Sequence, residues 1–276
     1  SLMWQTIPRL LSAYFKGIVG KHAHLDFSPA AALYFTSAAV LFSAGLGAMK
    51  YVNEKSPSFS QLDLKAEVTK HFLQPARAIA IDSSFTVWGN PEGAVTIVEF
   101  SDFQCPACRA AAFYLREALG EFRSEVRFYF VNFPLDKQIN PYLQDQVHEE
   151  AGLAARAAVC ARQRGGFWGF HDDLFRHQHE LNRDLILRLA EKRGWNPNEF
   201  AAEMDAEQTV IRVRADIERG RRAQVQATPT IVINGRRVEY WHHAEILRAI
   251  IRVELQRIHT PQIFTTKHFR RPYETQ

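Results

Sequence analysis

The sequence predicts an α/β fold in which a block of helices interrupts the strands, with a separate N-terminal helical segment in front of it. Three observations predict this. The runs "VTIVEF" (Val95 to Phe100) and "EVRFYFVNF" are short, apolar and rich in β-branched or aromatic residues, the pattern of buried strands. A long stretch without strand signal follows, in which apolar residues recur at helical spacing. Strands then resume in "ATPTIVINGRRVEY", where Asn234-Gly235 between two apolar runs is the strongest short hairpin signal.

Composition narrows what such a fold is for. The chain has 276 residues, 46% hydrophobic and 23% charged, enough apolar material to bury a full core. Its formal charge is +4, with Lys and Arg interleaved with acids rather than gathered into a block, which argues against nucleic acid as a partner. Three cysteines are too few for a disulfide-framework domain.

Taken in order, residues 1–52 differ in composition from the rest. Phe27 to Met49, "FSPAAALYFTSAAVLFSAGLGAM", carries no charge and is long enough to cross a bilayer as a helix. Ala, Ser, Thr and Gly dilute its hydrophobicity, so a buried or partner-covered apolar helix is the competing reading. Arg9, Lys16 and Lys21 before it, set against Lys50 and Lys55 after it, favour a cytoplasmic N-terminus. Residues 53–77 read as a polar linker carrying a short amphipathic helix, "LDLKAEVTKHFL". The main domain is expected over 78–258. Its first strand leads into a helix in "RAAAFYLREALGEF", which ends near Gly120, and the second strand follows. A helical insertion is placed at about 138–205, through "DQVHEEAGLAARAAVCARQRGG", "FWGFHDDLF", "RDLILRLAEKRG" and "PNEFAAEM", several of them ended by Gly. A long helix from about Ala206 to Arg222 precedes the hairpin, "AEILRAIIRVELQRI" forms the last helix, and 259–276 is a tail.

The chemistry lies in "FSDFQCPAC", Phe100 to Cys108. Structural zinc needs four ligands, usually from two paired knuckles, and the one remaining cysteine, Cys160, is a lone residue among small apolar neighbours. No metal is therefore expected, and Cys160 reads as a small core hydrophobe. A purely structural Cys105–Cys108 bridge closes so short a loop that it stabilises by only about 2 kcal/mol before strain. Redox use fits better. If a helix begins near Pro106, Cys105 stands at its N-terminus, where unpaired N–H groups and the macrodipole favour a thiolate. Pro106 and Ala107 carry no charge, so the helix end is expected to do most of that stabilisation. Cys108, one turn in, would be sheltered and resolving. His148 and His171 are expected in helices of the insertion with structural roles. Asp102 and Phe103 are expected to shape the surface met by a substrate.

The turn "FSDFQCPAC", the helical "AARAAVCARQRGGFWGFHDDLF" and the downstream "ATPTIVINGRRV" together resemble the DsbA-like branch of the thioredoxin superfamily. More narrowly, they resemble its bacterial membrane-anchored or exported thiol:disulfide oxidoreductases, over roughly Ile81 to Ile258. The resemblance implies a thioredoxin-like fold with a helical insertion, Cys105 as nucleophile and Cys108 as resolver. It also makes Pro229 the cis-proline whose loop faces the cysteines, so that Thr228, Pro106 and Phe103 would meet substrate. Glu99 matches the acidic residue beneath the cysteines. A carboxylate inside an apolar strand is expensive without a role, and proton relay to Cys108 is one; a solvated strand face is the alternative.

The function so implied is extracytoplasmic exchange of disulfides with protein substrates, without cofactor. A membrane redox partner would recycle the pair, and the N-terminal helix would hold the chain at the periplasmic or extracytoplasmic face of a bacterial inner membrane. The Pro-Ala dipeptide matches neither the strongest oxidants nor reducing thioredoxins, which leaves redox direction open. A reductase or isomerase kept reduced by a membrane partner is one alternative, and a redox-inactive binding module or chaperone of the same fold is another.

Overall fold

The computed structural model describes residues 61–259. The span expected at Phe27 to Met49 and the tail beyond His259 lie outside the described residues. Among the described residues, no helix is long and apolar enough to cross a membrane.

Five strands form one sheet in the order β1(Trp88–Gly89), β3(Val126–Asn132), β2(Val95–Ser101), β4(Thr230–Ile233), β5(Arg236–Val238). The two strands read from the sequence pair in parallel at its centre, with Glu99 opposite Phe130, while β4 runs antiparallel to β2 with Ile231 opposite Glu99. The short β1, invisible as a pattern in the sequence, adds antiparallel to β3. Helices in chain order are α1(Gln61–Leu73), α2(Pro106–Ala118), α3(Ala151–Gln163), α4(Phe167–Arg176), α5(Arg183–Lys192), α6(Pro197–Asp205), α7(Glu207–Arg222) and α8(Ala244–His259). This is the predicted α/β order, with helices in place of strands between β3 and β4.

Side chains on a strand alternate between faces, and the two faces of this sheet meet different helices. Val98, Phe100, Val131 and Val232 pack on Ala155 and Val159 of α3 and on Val213 and Ile217 of α7. Gly220 lets α7 lie that close, since a Cβ there would fall 2.3 Å from the Phe133 ring. On the opposite face Phe130 joins Cys108 and Ala112 of α2 to a second core built from α4, α5 and α6, including Phe167, Phe175, Ile186 and Phe200.

Buried charge fixes how the helical block sits on the sheet. Arg162 of α3 meets Asp216 of α7 at 3.2 Å and donates to the Phe130 carbonyl at 2.8 Å, while Asn132 donates to the same Asp216 carboxylate. Such a pair adds little net stability, but removing one partner would strand the other charge, so it specifies the packing. Arg116 and Asp172 tie α2 to α4 in the same way.

The hairpin turns at Asn234 (φ 44°) and Gly235 (φ 82°), the paired positive φ that a two-residue turn of this twist requires. Asn234 also closes the turn onto β2, accepting from the Thr96 amide at 2.8 Å and donating to the Thr96 carbonyl at 2.9 Å. Beside the edge strand β5, α1 and the residues after it supply partners. Gln74 donates to the Arg237 carbonyl at 3.1 Å, His71 Nδ1 lies 3.2 Å from the same oxygen, and the Arg77 amide donates to the Gly235 carbonyl. Burial lowers the His71 pKa to about 4, which keeps the ring neutral there.

One expected helix start is displaced. The apolar spacing beginning at Asp145 predicts helix through His148, yet α3 starts at Ala151 and the residues before it form a loop. Long-range hydrogen bonds outcompete the local periodicity: the Val147 and His148 amides both donate to the Leu135 carbonyl, and the Glu150 amide donates to the Gln104 side chain. His148 is thus a loop residue, not a helical one.

Candidate active site

Strand β2 ends at Ser101, and the chain turns once before Pro106 opens α2, where its fixed φ and missing donor do no harm. Cys105 is the residue just outside the helix, in extended conformation (φ −75°, ψ 120°). Cys108, one turn in, is 0% exposed against 8% for Cys105. Both are free thiols.

The two sulfurs have opposite acidities. A hydrogen bond from the Cys108 thiol is the main cause that draws the Cys105 pKa down to about 6, helped by the Thr228 side chain and by the amides of Cys108 and Ala107. The helix-end amides contribute as expected, alongside the neighbouring thiol. Burial pushes Cys108 well above the ordinary thiol range, and the charges of Cys105 and Glu99 push it further. One sulfur is poised as thiolate and the other keeps its proton.

The loop before β4 faces this pair. The Thr228-Pro229 peptide is cis, and the Cys105 thiol lies 3.3 Å from the Thr228 carbonyl. Thr228 and Pro229 are partly exposed, and Pro106 and Ala107, which follow Cys105 in the chain, are exposed.

Glu99 lies on the β2 face shared with Ile97 and Ser101 and is 0% exposed. Neither carboxyl oxygen has a hydrogen-bond partner among the described residues. Burial raises its pKa to about 8, so it holds a proton near neutrality. The alternative of a solvated strand face is excluded by that burial.

Phe103 is not at the surface. It is 1% exposed, with its ring 4.8 Å from Phe175 and 5.0 Å from Phe130, so its expected place on the substrate surface is corrected to the core under the active-site turn. Asp102 is likewise buried. It organises the turn, accepting from the amides of Gln104 at 2.6 Å and Cys105 at 3.2 Å. His171 sits in α4 at the centre of the aromatic cluster around Phe103, Phe130 and Phe175, and Cys160 is a fully buried core thiol whose pKa burial raises to about 11.

Sequence reading missed Gln178. Its side-chain amide donates to the carbonyls of Phe103 at 2.8 Å and Cys105 at 2.9 Å, clamping the active-site turn from between α4 and α5. A lone Gln in "RHQHE" carries no periodic or motif signal that could have marked it.

Comparison with known proteins identifies the family of the fold. A thioredoxin family model matches residues 83–252, more than half of the chain. The chain is 34% identical over 165 residues to a Na(+)/H(+) antiporter NhaA 3 of Salinispora tropica, a match covering 60% of this chain but only 24% of the antiporter. It is 26% identical over 157 residues to a probable disulfide bond formation protein D of Bacillus anthracis, covering 53% of this chain and 68% of that protein. Among solved structures, oxidised BdbD from Bacillus subtilis superposes with a TM-score of 0.56 at 24% identity, over 66% of this chain and 100% of that one. With that family model matching more than half of its length, the chain belongs to the thioredoxin family.

Proposed function

We propose that this chain is a thiol-disulfide oxidoreductase acting on protein thiols through Cys105 and Cys108. The observation that carries the reading is the split acidity of the pair, a nucleophile held near 6 at the surface and a protected partner held high beside a buried, protonated Glu99. In the oxidising direction a substrate thiolate attacks Cys105 of the 105–108 disulfide. The S–S bond breaks, Cys108 leaves with the electron pair, and Glu99 supplies the proton that such a buried thiolate requires. A second substrate thiolate then attacks the substrate sulfur of the mixed disulfide. Cys105 leaves as a stable thiolate, the substrate has lost two electrons, and the enzyme is the dithiol of the present structure. The low Cys105 pKa favours this direction, because it stabilises the reduced form and makes Cys105 a good leaving group. In this reading Thr228, Pro229 and Pro106 meet the substrate chain beside Cys105.

Limited iodoacetamide at mildly acidic pH is expected to label Cys105 before Cys108 and Cys160, read by peptide mass. Labelling of Cys160 first would remove the assignment.

The place of action belongs to the same proposal. A disulfide donor is useful where disulfides persist, so the domain is placed outside the cytoplasm with Phe27 to Met49 as its anchor and a membrane redox partner to reoxidise it. Reporters active on one side of the membrane, fused after Lys55, are expected to signal only from the outer side. A cytoplasmic signal, or release of the intact chain without detergent, would overturn the anchor.

A further inference from the structure

The Asp102 carboxylate joins two separate segments at the nucleophile. One oxygen accepts from the amides of Gln104 and of Cys105 itself, and the other accepts from the Leu135 amide at 2.6 Å and from His148 Nδ1 at 3.0 Å. The carboxylate is fully buried while the His148 ring is 19% exposed, so the imidazole reaches solvent and the acid does not. His148 is itself held in place, its amide donating to Leu135 O at 3.0 Å, and Gln104 straps the same gap by accepting from the Glu150 amide at 2.7 Å.

A buried carboxylate next to the nucleophile creates a problem for a thiolate. Like charges at short range in a low dielectric oppose one another, and donated amides offset only part of that repulsion. A cation on the far oxygen cancels most of the rest. We propose that His148 is a positioning residue for Cys105: through Asp102 it fixes the active-site turn, and as imidazolium it neutralises the buried carboxylate that would otherwise oppose the thiolate. This rests on Cys105 being the working thiol.

The charges around the ring agree. The hydrogen bond to Asp102, its charge and that of Cys105 all favour the imidazolium, and together they raise the His148 pKa against the effect of burial. On its own segment Glu149 and Glu150 follow it, and Asp136 faces the same loop through its hydrogen bond from Gln146. The thiolate and the imidazolium therefore stabilise each other. Converting Cys105 to a disulfide removes the negative charge and loosens the proton on His148, so reduction of the pair takes up part of a proton there.

The test is the pH profile of Cys105 alkylation by iodoacetamide in wild type and His148→Gln, with the equilibrium against glutathione as second readout. His148→Gln is expected to move the thiolate midpoint upward, lower alkylation at pH 6 by about three- to tenfold, and make the pair less oxidising. Adding Asp102→Asn to His148→Gln is expected to restore the midpoint, because no carboxylate remains to be neutralised. An unchanged midpoint in a folded His148→Gln protein would overturn the inference while leaving Cys105 as nucleophile. Labelling of another cysteine first in wild type would instead overturn the underlying reading.

Discussion

Cys108→Ser is expected to accumulate mixed disulfides between Cys105 and substrate proteins, visible as thiol-sensitive high-mass bands, whereas Cys105→Ser is expected to lose exchange by about a thousandfold or more. The difference follows from position. Cys105 alone reaches the surface and alone is held as a thiolate near neutrality, so its removal leaves Cys108 buried, protonated and unable to attack. Removing Cys108 spares the attack but deletes the group that expels the substrate. The readouts are reoxidation of a reduced, unfolded protein and recovery of trapped complexes. A Cys105→Ser protein that keeps its exchange rate would contradict the assignment.

The second large effect concerns Glu99. In the unfolded chain its carboxyl titrates near the ordinary 4.5, and in the fold it keeps its proton up to about 8. Below 4.5 both states are protonated and the residue adds no pH-dependent cost. As pH rises from there toward 8 the unfolded chain releases the proton and the native one retains it, so stability falls steadily across that window. At pH 7.5 the loss is on the order of 4 kcal/mol. Glu99→Gln keeps the shape and removes the titration, so its melting temperature is expected to exceed wild type at pH 7.5 and to converge with it near pH 4.5. Exchange is expected to slow by about ten- to a hundredfold, since an amide cannot pass a proton to Cys108. A variant less stable than wild type at pH 7.5 would mean that Glu99 is ionised in the fold.

What the sequence could convey depended on whether the deciding interaction was local. The strand-turn-helix around Cys105 and the Asn234-Gly235 hairpin were legible because a few adjacent residues determine them: a proline fit for a first helical turn, and a pair able to adopt positive φ. The apolar setting of Glu99 was legible for a similar reason. The start of α3 was not, because hydrogen bonds to Leu135 and Gln104, distant in sequence, hold the preceding residues out of the helix. Phe103 read as surface because it adjoins the motif, but its direction is set by Phe130 and Phe175, which no local pattern reveals. Gln178 and the Asp102 to His148 contact join segments whose proximity exists only after folding.

The partners that α1 and residues 74–77 give to β5 have a consequence for handling the protein. The family match starts at residue 83, so a chain trimmed to the homologous region would lack them. Its Gly235 and Arg237 carbonyls would face water on an outermost strand that carries no other covering from this segment. An open strand border of that kind recruits strands from other molecules, and it does so most readily at high concentration. The helix ahead of the matched region is in this sense a solubility device: it covers the β5 border of the sheet, through which neighbouring copies could polymerise side by side.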